Sequence, residues 1–190
     1  FLFNTLNTIT SLIRTQPDLA RELLIKLGMI FRFNMHKTGK KITIAEELAQ
    51  VRAYLTIEQA RHGDKLVVKE EIDEQVLPFL IPSLTIQPLV ENAIKHGLQP
   101  KESGGCILLR IKNSDETVTV SIVDNGVGID LKNNHPLQGP SGESIGLKNV
   151  HERLVGLYGE GLTLKSKPGL GTTVTFVLPK RLHEEVEDFV

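Results

Sequence analysis

A short stretch of the chain, residues 91–97, concentrates ionisable and amide side chains. If it is helical, Glu91 and Lys95 share one face, and Asn92 projects with His96 about 100° away. A carboxylate, an amide oxygen and an ammonium group within two turns could hold a magnesium ion and meet a triphosphate. A solvated helix face with an i,i+4 Glu–Lys pair explains these residues better if they are taken alone.

A second segment, Asp-Asn-Gly-Val-Gly at residues 124–128, follows a strongly β-patterned run. The carboxylate of Asp124 at a strand end can accept a hydrogen bond from an exocyclic amine, and neighbouring glycines let the backbone approach a flat ring closely. A simple turn is the competing explanation. The turn explains this segment less well, because Gly128 and then Ile129 follow Gly126, and a simple turn does not need a second glycine.

Two further glycine-bearing segments lie downstream. Residues 142–149 run from a loop into a helix, where free N–H groups can bind an anion. An ordinary junction capped by Ser144 explains that segment equally well. Residues 169–173 lie between two predicted strands, and a hairpin alone is the stronger explanation for them.

The elements that must position these groups begin with helices. Apolar residues at helical spacing predict two consecutive amphipathic helices. They are Leu2, Leu6, Ile9 and Ile13, followed by Leu19, Leu23, Leu27 and Ile30. A capping box at residues 43–46 predicts a third helix, which carries Leu48, Val51 and Leu55.

From about Lys65 the apolar period changes to two, which predicts strands. Four later strands are predicted at Ile107–Lys112, Thr117–Val123, Leu162–Lys167 and Thr172–Leu178. Helices are predicted at Leu84–His96, with Gly97 as its stop, and at Gly146–Tyr158. This order predicts an α+β protein: a helical segment at 1–62, a two-layer α/β sandwich at 63–180, and a tail at 181–190.

The composition argues against several classes of function. The formal charge is -1, with 22 basic and 23 acidic residues, which argues against direct nucleic-acid binding. The single cysteine, Cys106, excludes an internal disulfide framework and is typical of a reducing compartment. No apolar run approaches the roughly 20 residues that span a bilayer. The first residue is Phe1 within an amphipathic pattern, so we expect the chain to be part of something longer.

The order and spacing of the four clusters resemble the N, G1, G2 and G3 boxes of the GHKL ATP-binding superfamily. The matching residues are Asn92, Asp124-Gly126-Gly128, Gly146-Leu147 and Gly169-x-Gly171-Thr172. Residues 1–4, 88–97 and 146–154 resemble LytS-type sensor histidine kinases in particular, and the resemblance covers nearly the whole chain.

This resemblance implies a Bergerat-type ATP-binding fold with a mobile lid over the nucleotide. Asn92 would ligate Mg²⁺, and Asp124 would receive the adenine amine. Lys95 would reach a phosphate, and Glu91 is the candidate base. Gly126, Gly128 and Gly146 would line the nucleotide, Gly171 and Thr172 would complete its adenine side, and His96, Asn125, Ile129, Ser144, Ile145 and Leu147 would add contacts.

Two departures from the family pattern affect activity. Ser144 stands where the third cluster usually has its first glycine, which puts phosphate cradling there in doubt because serine resists positive φ. In the family, the phospho-accepting histidine directly precedes the sequence motif that begins at Phe1. None of the six histidines of the chain matches that position. We therefore expect this chain to bind ATP without phosphorylating itself.

The resemblance predicts the ATP-binding core of a two-component sensor histidine kinase, which passes phosphate to a response regulator of the LytTR type. The N-terminal helices would pair across a two-fold axis into a four-helix bundle of a homodimer. The alternative is that both apolar stripes pack on the sandwich of their own chain. The domain would be cytoplasmic, and its parent protein would reach the membrane only through upstream segments. Two alternatives remain open: an ATP-hydrolysing clamp in which Glu91 activates water, and a non-catalytic nucleotide-sensing dimerisation module.

Overall fold

Three helices form the first part of the fold. The computed structural model describes residues 1–37, 39–133, 136–137 and 145–180. Helices α1, α2 and α3 span Leu2–Leu12, Pro17–Lys37 and Ile44–His62. The predicted capping box is confirmed, because the Thr43 hydroxyl accepts the N–H of Glu46 at 3.1 Å while the Glu46 carboxylate accepts the N–H of Thr43 at 2.9 Å.

The apolar stripe predicted on α2 is mostly buried, whereas most of the stripe predicted on α1 is exposed. Leu23, Leu27 and Ile30 of α2 lie in the core. On α1 the buried residues are Thr5 and Ile9, whereas Leu2, Leu6 and Ile13 are 40%, 41% and 54% exposed. The reason is that α1 packs on α2 and α3 through a narrow face one turn long, which leaves its wider apolar side outside.

All the predicted strands are present, together with two short ones. The strands are β1 Lys41–Thr43, β2 Leu66–Ile72, β3 Leu80–Pro82, β4 Gly105–Asn113, β5 Thr117–Asp124, β6 Thr163–Lys167 and β7 Gly171–Pro179. The predicted strands form a five-stranded sheet of order β2-β4-β5-β7-β6, in which β2 is parallel to β4 and the other neighbours are antiparallel. A second, two-stranded sheet pairs β1 with β3, and the sequence did not predict it.

The larger sheet is covered on one face only, as the predicted two-layer sandwich requires. Its register places Leu109 beside Ile122 and Ile122 beside Val174, and all three are buried. Residues that alternate with them, such as Ser121 and Thr175, are half-exposed. Helices α4 (Gln87–Asn92) and α5 (Ile145–Tyr158) contribute Leu89 and other apolar side chains to the same core.

The helix predicted at Leu84–His96 has different bounds, and the predicted stop at Gly97 is wrong. The α-helix begins only at Gln87, because the positive φ of Leu84, 58°, is incompatible with a right-handed helix. The Glu47 carboxylate accepts the backbone N–H groups of the residues before the helix. After Asn92 the backbone continues as π-helical turns over Ala93–Leu98. Wide turns of this kind occur often at functional sites. Gly97 is needed inside them for close packing rather than for a terminus.

Contacts between the helical segment and the sandwich are continuous. One cluster of buried apolar side chains extends from Ile9 to Leu178, and strand β1 before α3 pairs with β3 after it. The domain boundary near residue 62 therefore stays a prediction. Within the described ranges, no helix is both long enough and apolar enough to cross a bilayer.

Candidate functional site

A cleft lies between the helix formed by α4 with its π-helical turns and the adjoining ends of β5 and β7. The helix supplies one wall, and the two strands and the segment after β5 supply the other. The lining residues are Leu89, Asn92, Ala93, His96, Gly97, Ile122, Asp124, Gly128, Ile129, Thr172 and Val174.

Asp124, the last residue of β5, is the acidic group of the cleft. It is only 5% exposed, and its Oδ1 accepts the N–H of Gly126 at 2.9 Å. Burial raises the pKa of this carboxyl, and hydrogen bonds from the backbone N–H groups of Gly126 and Thr172 oppose that rise. The carboxylate retains further acceptor positions at the cleft, which suits it to receive an N–H group from a ligand.

Three glycines allow the backbone to pack tightly around Asp124. A Cβ at Gly97 would lie 2.7 Å from Asp124 Oδ1, and a Cβ at Gly126 would collide with the carbonyl of Gly97. At Gly171, where φ is +108°, a Cβ would collide with the carbonyl of Asp124. The N–H of Val127 donates to the Gly97 carbonyl at 2.9 Å and fixes this approach. These positions require glycine because any side chain would collide with the neighbouring backbone or carboxylate. The spacing of the clusters in the sequence does not predict these contacts.

The segment after β5 is held against the β6–β7 hairpin. The N–H of Gly169 donates to the Val127 carbonyl at 2.7 Å, and the N–H of Ile129 donates to Ser166 Oγ at 2.8 Å. The Ser166 hydroxyl in turn lies 2.9 Å from Thr172 Oγ1. Ser166 is a supporting residue that the sequence did not indicate, because one serine in an alternating strand carries no distinctive signal.

The helix places its polar residues on different sides. Asn92 and His96 line the cleft together, as their shared helical face predicts. Glu91 is half-buried away from it, and its Oε1 accepts a hydrogen bond from Gln87 Nε2 at 2.8 Å. Lys95 is exposed and is not part of the cleft lining. The assigned roles of Glu91 and Lys95 stay predictions.

Asn125 lies beside the cleft, but its side-chain and backbone oxygens accept hydrogen bonds from residues outside the cleft lining. Its Oδ1 accepts the N–H of Cys106 at 2.7 Å, and its carbonyl accepts Lys101 Nζ at 2.6 Å. The side chain therefore ties the end of β5 to the start of β4, and it is absent from the residues that line the cleft.

The described part of the third cluster, residues 145–149, lies near the N-terminal end of α4. Ile145 and Gly146 begin α5 and are exposed, and a Cβ at Gly146 would lie 3.9 Å from Pro88 Cβ. Leu147 is buried in the core. Residues 142–144, including Ser144, lie outside the described residues, so the prediction for that loop stays untested.

The apolar walls of the cleft include four residues that were not predicted: Leu89, Ala93, Ile122 and Val174. A signal for them exists in the sequence. Leu89 and Ala93 precede His96 by seven and three residues and so share its helix face, and Ile122 is two residues before Asp124 on the same side of a strand. The result is a mainly apolar cleft with one carboxylate among its described lining residues, a composition suited to an amino-substituted aromatic ring.

Two family models match the chain. The family described as histidine kinase-, DNA gyrase B-, and HSP90-like ATPase matches residues 82–182, and the family described as histidine kinase matches residues 1–66. The first match contains every residue of the cleft lining.

Several curated proteins are similar over nearly the whole chain. Sensor histidine kinase YpdA of Escherichia coli is 45% identical over 95% of the chain, and sensor protein LytS of Staphylococcus haemolyticus is 37% identical over 97%. The chain spans about a third of these relatives, 32% and 33% of their lengths.

Solved structures support the fold. The histidine kinase domain of the Erythrobacter litoralis blue-light activated kinase EL346 aligns over 93% of this chain and 84% of its own, with a TM-score of 0.55 at 20% identity. The catalytic domain of histidine kinase ThkA aligns over 74% of this chain and 96% of its own, with a TM-score of 0.58 at 15% identity.

Proposed function

Because the chain belongs to the family of histidine kinase-, DNA gyrase B- and HSP90-like ATPases and carries their ATP-binding fold, we propose that it is the catalytic core of a two-component sensor histidine kinase. One observation carries the proposal. Asp124 at the end of β5 and Asn92 on the facing helix line the same apolar cleft, although they are far apart in the chain.

Each lining group has a part in holding ATP. Asp124 would accept the adenine amine while Ile122 and Val174 contact the ring, which excludes water from that hydrogen bond. Asn92 offers the cleft an amide oxygen of the kind that Mg²⁺ accepts as a ligand. The metal, when bound, would neutralise charge on the phosphates. Phosphoryl transfer depends mainly on positioning and charge neutralisation, so this small set of polar groups is sufficient.

The phosphate would pass to a histidine upstream of Phe1 and then to a response regulator, of the LytTR type by family resemblance. Glu91 remains the candidate base, and Lys95 the candidate phosphate contact. Any membrane attachment of the longer protein would come from its upstream segments.

Dimerisation is supported by exposed apolar side chains on the first two helices. Phe3 and Leu6 of α1 are 82% and 41% exposed, and Leu24, Phe31 and Met35 of α2 are 50%, 43% and 79% exposed. The α2 residues recur at helical spacing and form one stripe. Apolar stripes of this kind suit pairing with a second copy in a four-helix bundle. Sedimentation equilibrium should show a dimer that Phe31→Glu dissociates; a monomer at all concentrations for a chain extended upstream would contradict this.

The nucleotide assignment is tested by calorimetry. ATP should bind in the presence of Mg²⁺, and GTP should bind at least tenfold more weakly because its ring presents a carbonyl where adenine presents an amine. Equal affinity for the two nucleotides would contradict the proposed role of Asp124.

The kinase assignment is tested by label from γ-labelled ATP. A longer chain that continues upstream of Phe1 should acquire acid-labile, alkali-stable label on histidine, whereas the 190-residue chain should bind ATP and remain unlabelled. Steady release of ADP without labelled protein would instead indicate an ATP-hydrolysing clamp. Stable label on a histidine of the 190-residue chain would contradict the upstream position of the acceptor.

A further inference from the structure

The loop that leads into α4, residues 83–86, has a strained backbone in a buried place. Leu84 has a φ of +58°, and among the described residues no other non-glycine residue has a positive φ. Leucine rarely adopts this conformation, because its Cβ comes close to the neighbouring carbonyl oxygen. Ser83, Thr85 and Ile86 are at most 1% exposed, so water does not support the loop. Strain of this kind persists only where the surrounding structure holds the backbone in place.

Charged side chains from two different helices hold this loop. The Glu47 carboxylate of α3 accepts the N–H groups of residues 84–87 at 2.9 to 3.2 Å. Arg153 of α5 binds the oxygens of the loop, because its Nη2 donates to the Leu84 carbonyl at 2.6 Å and to Thr85 Oγ1 at 3.1 Å. The N–H and the carbonyl of Leu84 are therefore each bound by a charged group, one from each helix, and these bonds maintain its positive φ.

Arg153 is a costly side chain for a purely structural contact. It is half-buried, and burial lowers the pKa of its guanidinium while Glu47 and Tyr158 raise that pKa. Its Nε is buried and donates to no acceptor among the described residues. A buried donor without an acceptor costs stability, so an apolar side chain would fill the same space better. The position favours a role that needs the directed hydrogen bonds of a guanidinium.

The contact made by Arg153 joins α5 to the helix that carries Asn92. Gly146, at the start of α5, lies against Pro88, since a Cβ on the glycine would be 3.9 Å from Pro88 Cβ. Pro88 is about one turn before Asn92 and on the same helix face. Arg153 follows Gly146 by seven residues, about 10 Å along the same side of α5. Helix α5 therefore holds the start of α4 at two points, and a shift at either point moves Asn92 relative to the first turn of α5.

We propose that Arg153 is a positioning residue for the phosphate end of ATP, an inference that rests on the proposed nucleotide-binding function. By holding the Leu84 carbonyl, it sets the separation between Asn92, the candidate Mg²⁺ ligand, and the first turn of α5, whose N–H groups would face the phosphates. The adenine side of the cleft is held by other contacts, namely the glycines packed around Asp124 and the hydrogen bonds of the segment after β5. Arg153 therefore affects the binding of the phosphates more than that of the base.

The test is calorimetric titration of the 190-residue chain with ATP, with and without Mg²⁺, and chemical-shift titration with adenosine, which has no phosphate. Arg153→Met keeps the apolar stem of the side chain but removes its hydrogen bonds. It should weaken binding of ATP with Mg²⁺ by about tenfold, since hydrogen bonds to charged groups are among the stronger ones, and leave adenosine affinity within about twofold. Arg110→Met is a matched control that should change neither affinity, because Arg110 Nε donates to Glu71 of β2 at 2.6 Å and not to the loop before α4.

The dependence on Mg²⁺ separates positioning from a general loss of stability. In the unsubstituted chain, Mg²⁺ should strengthen ATP binding through Asn92. Arg153→Met should lose most of this strengthening, because Asn92 is no longer held opposite the phosphates. Arg153→Lys keeps a positive charge that can donate to the Leu84 carbonyl, but it lacks the planar fork of a guanidinium. It should recover part of the Mg²⁺ effect, with an ATP affinity about threefold below that of the unsubstituted chain.

The outcomes distinguish this inference from the proposed function. No ATP binding by the unsubstituted chain would contradict the nucleotide-binding function itself. If that chain binds ATP, equal losses of ATP and adenosine affinity in Arg153→Met would overturn the positioning role alone, and so would unchanged affinity for both. If Arg153→Met does not fold, as judged by a missing thermal transition, a Mg²⁺ effect in folded Arg153→Lys equal to that of the unsubstituted chain overturns the role instead.

Discussion

Two buried carboxylates lie near the two ends of the helix formed by α4 and its π-helical turns, and they have very different surroundings. Glu47 on α3 accepts four backbone N–H groups, those of Leu84, Thr85, Ile86 and Gln87, at 2.9 to 3.2 Å. Among the described residues, two donate backbone N–H groups to Asp124, which lines the cleft. Burial raises the pKa of both carboxyls, so the direction of the shift does not distinguish them.

The difference is in the remaining acceptor capacity. The carboxylate of Glu47 is 0% exposed and its acceptor positions are taken by the loop before α4, where Arg153 also donates to the Leu84 carbonyl at 2.6 Å and to Thr85 Oγ1 at 3.1 Å. Asp124 has lone pairs left that face the cleft. A saturated carboxylate stabilises the fold, whereas a partly satisfied one at a cleft is available to a ligand.

Replacing each carboxylate with its amide should separate the two roles, and Glu47→Gln should have the largest effect. It places an amide NH₂ against backbone N–H donors and removes a negative charge near Arg153. We expect the free energy of unfolding to fall by about 3 kcal/mol in urea denaturation, since hydrogen bonds to charged groups are among the stronger ones. Glu74→Gln is an exposed control that should change it by less than about 0.5 kcal/mol. Equal effects of the two substitutions would show that Glu47 is not a structural anchor.

Asp124→Asn should weaken ATP binding by about a hundredfold, because the amide cannot replace the carboxylate as acceptor at every position. The free energy of unfolding should change by less than about 1 kcal/mol, since the loss of a hydrogen bond is offset by removing a buried charge. Calorimetry and urea denaturation on the same sample measure both quantities. A large loss of stability with unchanged affinity would reverse the assigned roles of Asp124 and Glu47.

The glycine packing around Asp124 should be sensitive to a single methyl group. Gly126→Ala should cost about 2 kcal/mol of stability, because the Cβ would collide with the Gly97 carbonyl. Gly156 of α5 has open space around the position of a Cβ, so Gly156→Ala should stabilise by about 0.5–1 kcal/mol through helix propensity. Thermal unfolding of both variants tests this, and a neutral Gly126→Ala would mean that the close approach is not required.

The smallest effect should come from pH. Because the pKa of Asp124 is raised by burial, ATP affinity should begin to fall at a higher pH than for an ordinary aspartate, by at most about tenfold per pH unit below that pKa. The loss occurs as pH decreases, since the protonated carboxyl has lost its charge as an acceptor. Asp124→Asn should lack this component of the pH dependence in calorimetric titrations. Parallel profiles for the two proteins would contradict it.

Much of the fold could be predicted because it follows from local patterns. The alternation of β4, β5 and β7 and the capping box of α3 are local signals, and the structure confirms them. Strands β1 and β3 were missed because three-residue strands have no measurable period. The start of α4 was misplaced because Leu84 has a positive φ, in a loop whose backbone N–H groups are held by Glu47, some 40 residues earlier.

The site residues likewise fall into those that the sequence predicted correctly and those that it did not. Asn92, His96 and Asp124 were predicted from residue type and position, and the structure brings them to one cleft. Lys95 lies outside that cleft lining, and Asn125 instead binds the backbone of β4. Side-chain direction of this kind depends on neighbours that are distant in the chain, so no spacing rule could supply it.

By itself, the sequence determined the class of the protein: the order of helices and strands, the acidic strand end at Asp124 and the glycines that surround it. These features are local, because they depend on residue type, period and backbone freedom. Only the tertiary structure decided which buried carboxylate is saturated and which is available, and that Arg153 of α5 holds the loop before α4. Such distinctions depend on which donors reach each oxygen, and the donors come from segments brought together only by folding.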